Sequence, residues 1–210
     1  MLMPPPSTAF GKEQCHRSDN ETLVSSLDVV PKLVNEYFTE TEAVVKEAER
    51  RGHAVGRARS IEFGDDFLRP EARAAALQAL EDEPTYLLVI AFPCGPWSTI
   101  TRCFPGKNLF ERRRLGQILL NFAVDCALKQ MALGRHFLIE NPWYAESWSV
   151  DSLLALRADA RVGFLGIHQC ALDKTDPVGR LIKKPTGLLS DLPEVLEEFE
   201  QALCSKDTGR

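Results

Sequence analysis

Apolar residues recur along this chain with two different periods, and the alternation of these periods predicts strands and helices in turn. Residues 86–92 form an unbroken apolar run, which is typical of a parallel strand covered on both faces. Residues 109–133 place apolar side chains at helical spacing and end at Gly134, so they predict a long helix. Pro70 opens an alanine-rich helix that ends before Pro84.

Shorter patterns complete the predicted fold. Thr39 and Glu42 are typical of a capping box, which opens a helix closed by Gly52. Residues 150–157 predict a short helix, and an amphipathic helix begins at Pro193. The other strands are expected at residues 27–30, 54–63, 137–139, 162–167 and 181–189. This order predicts a single α/β domain with a doubly wound, mostly parallel sheet and helices on both faces.

The two ends of the chain differ from this middle part. Residues 1–20 are rich in Pro, Ser and polar side chains without periodicity, and residues 205–210 are similar. Both segments are therefore expected to be disordered, and the folded domain to span residues 21–204. A chain of 210 residues, 44% of them hydrophobic, suffices for one sizeable core.

Composition and charge restrict the possible classes of protein. No run approaches the roughly 20 apolar residues of a membrane helix, and the first residues lack the order of a secretory signal. The chain is therefore expected to be intracellular, in the nucleus or the cytoplasm, with no membrane partner. A net charge of -5 argues against coating nucleic acid by bulk electrostatics, so any such contact must be local. The six cysteines form no close pairs, which predicts reduced thiols and no metal site.

Two turns carry residues that could do chemistry, because ligands of such sheets collect beyond the carboxyl ends of the strands. Cys94 follows the strand predicted at residues 86–92, in a turn stiffened by Pro93 and Pro96. A thiolate there could be a nucleophile, whereas an isolated turn cysteine is often an inert thiol. Glu140 follows the next apolar strand, where it could hold a proton for the substrate or simply form a cap or a salt bridge.

The pair of turns resembles a known family. Carbon-5 cytosine DNA methyltransferases carry a Pro-Cys turn after one strand and a Glu-Asn turn after the next, and Pro93-Cys94 and Glu140-Asn141 match these motifs in order. The resemblance implies a Rossmann-like methyltransferase fold with S-adenosylmethionine as cofactor. It also implies that the cysteine adds to carbon 6 of a flipped-out cytosine, that the glutamate protonates the ring nitrogen, and that carbon 5 takes the methyl group.

Residues 27–193 resemble more closely the methyltransferase-like segments of transposable-element polyproteins, through the shared pattern CGPWS, ENPW, HQC and KKPT. The resemblance implies roles for further residues. The expected cofactor-binding residues are Asp28, Asp65, Pro93 and Asn141. The expected substrate-binding residues are Ser98, Arg102 and Gln169, and Arg180 is expected to join Cys94 and Glu140 as a catalytic residue. Asp65 fits an Asp-capped turn before the helix at Pro70 equally well.

Two features depart from the family pattern. The family's cofactor loop is an Asp-x-Phe-x-Gly-x-Gly turn, whereas LDVVPKLVNEYFTE contains no glycine that would let the backbone close on a ligand. The chain also passes almost directly from Arg180 to its last helix, without the target-recognition region of active DNA methyltransferases. Reading a long DNA site would therefore need a partner.

Cations and aromatic residues follow the two candidate turns. The cations are Arg102, Lys107, Arg112, Arg113 and Arg114, opposed by Glu111. Such a cluster could bind the phosphates of DNA or RNA, or it could be a solvated helix start. The aromatic residues are Trp97, Trp143, Tyr144 and Trp148. They could stack on a base or plug the mouth of the sheet.

Three functions stay open on the sequence. The first is a methyltransferase-like enzyme that acts on cytosine or another base through Cys94 and Glu140. The second is a catalytically silent domain of the same fold, which serves nucleic-acid or protein interaction within an element-encoded protein. The third is a thiol hydrolase in which Cys94 pairs with His136 or His168, since both lie near predicted strand ends.

Overall fold

One open five-stranded sheet organises the computed structural model, which describes residues 32–203. Its strands are β1 (Leu33–Tyr37), β2 (Thr85–Ile90), β3 (His136–Pro142), β4 (Gly163–His168) and β5 (Pro185–Ser190). They lie side by side in the order β1, β2, β3, β5, β4. The helices are α1 (Ala43–Arg50), α2 (Pro70–Asp82), α3 (Thr99–Cys103), α4 (Leu109–Ala132), α5 (Asp151–Arg157) and α6 (Pro193–Phe199).

The sheet is mixed rather than mostly parallel. β1, β2 and β3 run parallel, whereas β5 is antiparallel to both of its neighbours, β3 and β4. Parallel neighbours need a crossover, which is usually a helix. Residues 169–184 hold only a 3₁₀ turn at Gln169–Leu172 before the chain turns back, so β5 returns antiparallel to β4. The α/β class is confirmed, and the parallel arrangement holds for β1 to β3.

Most of the helices and the strand β2 lie where the sequence predicts them. α2 begins at Pro70, which stands in its first turn where no backbone N–H is needed. α4 ends just before Gly134, whose φ of 66° is a left-handed conformation that glycine adopts without strain. β2 and α5 also match their predicted ranges closely. The predicted C-terminal helix is present as the short helix α6.

The amino-terminal part of the sheet differs from the prediction. The strand expected at residues 27–30, the leader and the tail lie outside the described residues. The first described strand is β1, whose Asn35 and Glu36 are buried although they are polar. Asn35 is accommodated because its Nδ2 donates to Thr85 Oγ1 at 2.9 Å. Because these residues are polar, β1 does not stand out as an apolar run in the sequence.

Residues 54–63, predicted as a strand, form no regular strand. Their backbone pairs with β1 only at two isolated bridges, which are formed by Val55 and Arg59. The chain between these bridges passes so close to β1 that a Cβ at Gly56 would lie 1.9 Å from Asn35 Oδ1. It then coils into a single 3₁₀ turn. The close passage and the turn interrupt the hydrogen-bond ladder.

Two element starts are also later than predicted. Thr39 Oγ1 accepts a hydrogen bond from Glu42 N at 2.9 Å, but Glu42 has a φ of 54° and cannot be part of a helix. The helix therefore begins at Ala43. β5 begins at Pro185 instead of residue 181, because the preceding residues form a tight turn in which Asp176 N donates to the Arg180 carbonyl oxygen at 2.8 Å.

Two apolar clusters stabilise the fold. In β3, Phe137 and Ile139 contact the larger cluster, which includes residues of α2, α4 and α5. Leu138, between them, contacts the smaller cluster together with residues of α6. Because successive side chains of a strand point to opposite faces, the two clusters lie on opposite faces of the sheet. Within residues 32–203, every helix is too short or too polar to traverse a lipid bilayer.

Candidate functional site

The turn that follows β2 and the last residues of β3 lie at the same end of the sheet. β2 and β3 are parallel neighbours, with Ile90 beside Ile139. Glu140 and Asn141, expected in a turn after the strand, are instead part of β3, because they pair with Leu188 and Gly187 of β5. The Asn141 amide Nδ2 donates to the Phe92 carbonyl oxygen at 3.0 Å. Ser147 Oγ donates to Asn141 Oδ1 at 3.2 Å, which fixes the orientation of the amide. A buried hydrogen-bond chain therefore joins the end of β3 to the segment that leads to Cys94.

Cys94 is half-buried, in a turn whose backbone is held on both sides. Its carbonyl oxygen accepts a hydrogen bond from Trp97 N at 2.9 Å, and Thr101 Oγ1 donates to the Gly95 carbonyl oxygen at 2.6 Å. Ser98, predicted to bind substrate, caps α3, because its Oγ accepts from Thr101 N at 3.1 Å. The thiol is thus carried by a fixed backbone and stays partly accessible.

Glu140 is half-buried, with a side chain that is 27% exposed and an enclosed Oε1 atom. Its Oε1 has no hydrogen-bond partner among the described residues. Lys184 Nζ lies 3.8 Å from Oε1, which is too far for a hydrogen bond. Burial raises the pKa of Glu140, and the positive charge of Lys184 opposes this rise only in part. The acid therefore keeps its proton to a higher pH than an exposed glutamate does, as a proton donor requires.

The raised pKa of Glu140 predicts a pH-dependent stability. Below the pKa of an unfolded glutamate, about 4.3, the side chain is protonated in both states and costs nothing. As the pH rises through the higher folded-state pKa, the folded protein must hold a buried charge and loses stability. We expect Glu140→Gln to raise the melting temperature at pH 8 and to change it little at pH 4, as measured by scanning calorimetry. The exposed Glu198→Gln is the matched control, and an equal effect of Glu140→Gln at both pH values would contradict the raised pKa.

A cleft of about 270 Å³ opens at the carboxyl ends of β1 and β2. Its mostly apolar walls include Phe38, which follows β1, and Pro93, which precedes Cys94. Ser60 also lines the cleft; it is 3% exposed, and its Oγ has no hydrogen-bond partner within residues 32–203. A buried, unpaired hydroxyl in the wall of an apolar cleft is a group that a polar ligand atom could satisfy. The cleft is the candidate cofactor site.

The cleft fits one end of S-adenosylmethionine and not the other. Its apolar walls and the Ser60 hydroxyl suit an adenosine group. The cofactor's amino-acid carboxylate would need backbone donors such as those at the start of α1. However, the N–H groups of Val44 and Val45 already donate to Glu36 Oε2, at 3.0 and 3.3 Å. A buried carboxylate of the protein thus takes the place of the ligand's carboxylate, so the residues present do not fit the amino-acid end.

The predicted cofactor-binding residues are only partly brought together. Asp65 and Pro93 line the cleft. Both carboxylate oxygens of Asp65 face arginines, with Arg57 Nη2 at 3.0 Å from Oδ2 and Arg59 Nη1 at 3.2 Å from Oδ1. Asn141 uses its amide within the protein, as described above, and Asp28 lies outside the described residues.

The cations after Cys94 divide into a paired and an unpaired group. Arg113 forms an ion pair with Glu146 and lies over the Trp97 ring, 5.7 Å from its centroid. Arg114 pairs with Glu111 at 2.8 Å. Of the five cations that follow the Cys94 turn, Arg102, Lys107 and Arg112 are exposed and form no ion pair with the described residues. Three unpaired positive charges therefore surround the start of α4.

The four aromatic residues beyond the turns have different environments. Trp97 and Trp148 belong to the larger apolar cluster. Trp143 stacks on Phe164 with their ring centroids 4.9 Å apart. These three rings therefore pack within the protein, whereas Tyr144 is 65% exposed.

Gln169 and Arg180 lie in the connection between β4 and β5. Gln169 Nε2 donates to Thr186 Oγ1 at 3.1 Å. Arg180 is exposed, and its Nε forms an ion pair with Asp176 Oδ2 at 2.7 Å. Gln169 thus bonds to β5, and Arg180 pairs within the connection. Among the described residues, no hydrogen bond or ion pair joins Arg180 to Cys94 or Glu140.

The two histidines of the hydrolase hypothesis lie in different places. His136 is the first residue of β3, whereas Cys94 comes after the last residue of β2. Because β2 and β3 are parallel, these residues lie at opposite ends of the strands. His136 Nδ1 instead contacts Asp191 Oδ2 at 3.2 Å. His168 ends β4, which β5 separates from β3. His136 is therefore remote from Cys94, and a pairing of Cys94 with His168 stays a prediction.

Sequence reasoning misses three residues of this edge, namely Lys184, Ser60 and Glu36. Lys184 belongs to the KKPT part of the shared pattern, so a signal for it existed. Ser60 and Glu36 carry no motif, and their importance comes from burial beside the cleft and below α1.

Comparison with known proteins adds no family to this description. The chain matches no protein-family model, and it matches no curated protein. The functional interpretation therefore depends on the Cys94 turn, the end of β3 and the neighbouring cleft.

Proposed function

We propose that this chain is a methyltransferase-like domain of the carbon-5 cytosine type, which acts on cytosine in nucleic acid through Cys94. The observation that carries the proposal is the Cys94 turn beside the end of β3, joined to it by the 3.0 Å hydrogen bond from Asn141 to Phe92. The turn carries a partly exposed thiol, and the end of β3 carries a half-buried acid with a raised pKa. The corresponding fold is doubly wound and Rossmann-like, which the parallel strands β1 to β3 and the apolar clusters on both faces support.

In the proposed reaction, the Cys94 thiolate forms a bond to carbon 6 of the cytosine ring. The displaced electron pair moves through the ring to its nitrogen 3, which takes the proton of neutral Glu140. The product is an enamine, whose carbon 5 is nucleophilic and accepts a proton from water. Loss of the original hydrogen from carbon 5 and expulsion of the thiolate then restore the ring, while Glu140 regains its proton. The carbon 5 hydrogen therefore exchanges with solvent by the action of these two residues.

The second candidate is a catalytically silent domain that serves nucleic-acid or protein interaction in a transposable-element-derived protein. The observation that favours it is the occupied start of α1, where Glu36 Oε2 accepts the N–H groups of Val44 and Val45. Both candidate functions imply an intracellular location, in the nucleus or the cytoplasm.

Ligand binding to the cleft separates the two candidates. Because the α1 amides are occupied by Glu36, we expect adenosine and S-adenosylmethionine to bind the full chain with affinities within about tenfold of each other, measured by titration calorimetry. We also expect exchange of the carbon 5 hydrogen of a cytosine oligonucleotide with solvent, and its loss in Cys94→Ala. A folded chain that gives neither heat nor exchange would leave only the silent domain.

A further inference from the structure

The most exposed apolar side chains of the described residues lie together, just after the Cys94 turn. Phe110 is 83% exposed, Phe104 78% and Ile100 75%, and all other large apolar side chains in residues 32–203 are less exposed. They occupy α3, the connection that follows it and the first turn of α4. Large apolar side chains that are exposed to solvent within so short a segment indicate a contact site.

Unpaired cations alternate with these apolar residues. Arg102, Lys107 and Arg112 are exposed and have no ion pair in the described chain. The nearby carboxylates of Glu111 and Glu146 are already neutralised by Arg114 and Arg113. We call the six residues the basic-aromatic surface: Ile100, Arg102, Phe104, Lys107, Phe110 and Arg112. Its net positive charge contrasts with the net charge of -5 of the whole chain.

The basic-aromatic surface is continuous with the candidate catalytic turn. Arg112 Nη2 lies 3.8 Å from the position that a Cβ would take at Gly95, the residue after Cys94. Thr99 Oγ1, at the start of α3, is 3.5 Å from the carbonyl oxygen of the exposed Tyr144. A strand bound on this surface would therefore pass directly beside the thiol.

A groove of about 530 Å³ lies next to Phe110. Its other walls include Trp97, Arg113, Gln117 and Asn121, so it combines aromatic rings with amide and guanidinium groups. Such groups can hydrogen-bond to the edges of a base, whereas the acyl chains of a lipid offer them no partner.

We propose that the basic-aromatic surface binds single-stranded nucleic acid, with bases stacked on Phe104 and Phe110 and phosphates held by Arg102, Lys107 and Arg112. This inference names the substrate class of the proposed function and rests on it. In a duplex the faces of the bases are covered by their neighbours, so exposed phenylalanines would find nothing to stack on. In a single strand every base has a free face, and cations between the rings neutralise the backbone. A base on a single strand also reaches Cys94 without the cost of leaving a duplex.

Fluorescence anisotropy with the full chain tests this proposal. The probes are a labelled 12-nucleotide single strand and a hairpin duplex of the same sequence, each at two salt concentrations. We expect the single strand to bind at least about tenfold more tightly than the duplex. Because stacking on one aromatic ring accounts for roughly five- to hundredfold in affinity, Phe104→Ala with Phe110→Ala should weaken binding by at least about tenfold. Val178→Ala, which truncates a side chain that is 74% exposed elsewhere, should leave binding unchanged.

The salt dependence of binding tests the contribution of the three cations. Alanine at Arg102, Lys107 and Arg112 should flatten the plot of log affinity against log salt by a slope of about 2, as expected for three lost phosphate contacts to a single strand. Binding and exchange of the cytosine carbon 5 hydrogen are measured separately, so failure of binding and failure of chemistry can be told apart. Equal affinity for the duplex, or unaltered binding by the phenylalanine variants, would overturn the proposal. Binding to phosphatidylserine vesicles without binding to either oligonucleotide would overturn it in favour of a membrane.

Discussion

Cys94→Ala is expected to abolish the exchange of the cytosine carbon 5 hydrogen with solvent. The assay incubates the full chain with a cytosine oligonucleotide in deuterated water, without a methyl donor, and follows deuterium uptake by mass spectrometry. Alanine removes the sulfur that bonds to carbon 6, so the rate should fall to that of the oligonucleotide without protein. Glu140→Gln keeps the size of the side chain but cannot give up a proton, and should slow the exchange by about 10²–10⁴-fold.

Cys103→Ala provides the matched control for this experiment. Cys103 is an exposed thiol in α3, close in sequence to Cys94 and outside the proposed mechanism. Its removal should leave the exchange rate unchanged. Exchange that persists in Cys94→Ala, or that disappears equally in Cys103→Ala, would contradict the assignment of the nucleophile.

Asn141→Ala is expected to lower the free energy of unfolding by about 2–4 kcal/mol. Asn141 is 1% exposed, and its amide joins the Phe92 carbonyl oxygen to Ser147 Oγ. Alanine leaves both of these buried groups without a partner, and each unpaired group costs about 1–3 kcal/mol. For a chain of this size, the melting temperature should fall by about 5–15 °C, which calorimetry or urea unfolding measures.

Asn121→Ala is the matched control, because Asn121 also accepts a hydrogen bond from a serine, Ser152 Oγ at 2.9 Å, but on an exposed part of α4. Water can replace that bond, so stability should change by no more than about 0.5 kcal/mol. Similar small losses in both variants would show that the Asn141 bridge does not hold the Cys94 turn to the end of β3.

Most helices and the strand β2 could be predicted because their signals are local. Pro70 in the first turn of α2, Gly134 after α4 and the apolar run of residues 86–92 each act on their own segment. The direction of β5 could not be predicted in this way. An apolar run is the same in either direction, and the direction follows from a connection that contains no crossover helix in residues 169–184.

The residues of the candidate site also divide into those with a local sequence signal and those whose position depends on the fold. Cys94 and Glu140 could be selected because each follows an apolar run of the sequence, and the carboxyl ends of parallel neighbours lie together. Lys184 lies near Glu140 only because β5 pairs with β3, where Leu188 stands opposite Glu140. Glu36 could not be recognised, since its role depends on a turn that carries α1 back over the end of β1. A pattern read along the sequence does not reveal contacts between segments that are neighbours in the fold but distant along the chain.

The position of β5 also governs how the sheet can assemble during synthesis. As the chain leaves the ribosome, β1, β2 and β3 can pair in the order in which they emerge, but β4 meets the sheet only through β5, the last strand of the described residues to be made. Until Ser190 has emerged, one edge of β3 and both edges of β4 stay open, and open edges invite pairing with other chains. A chain that stops before Pro185 would therefore aggregate more readily than the finished protein, and chaperones would have most to protect in that interval.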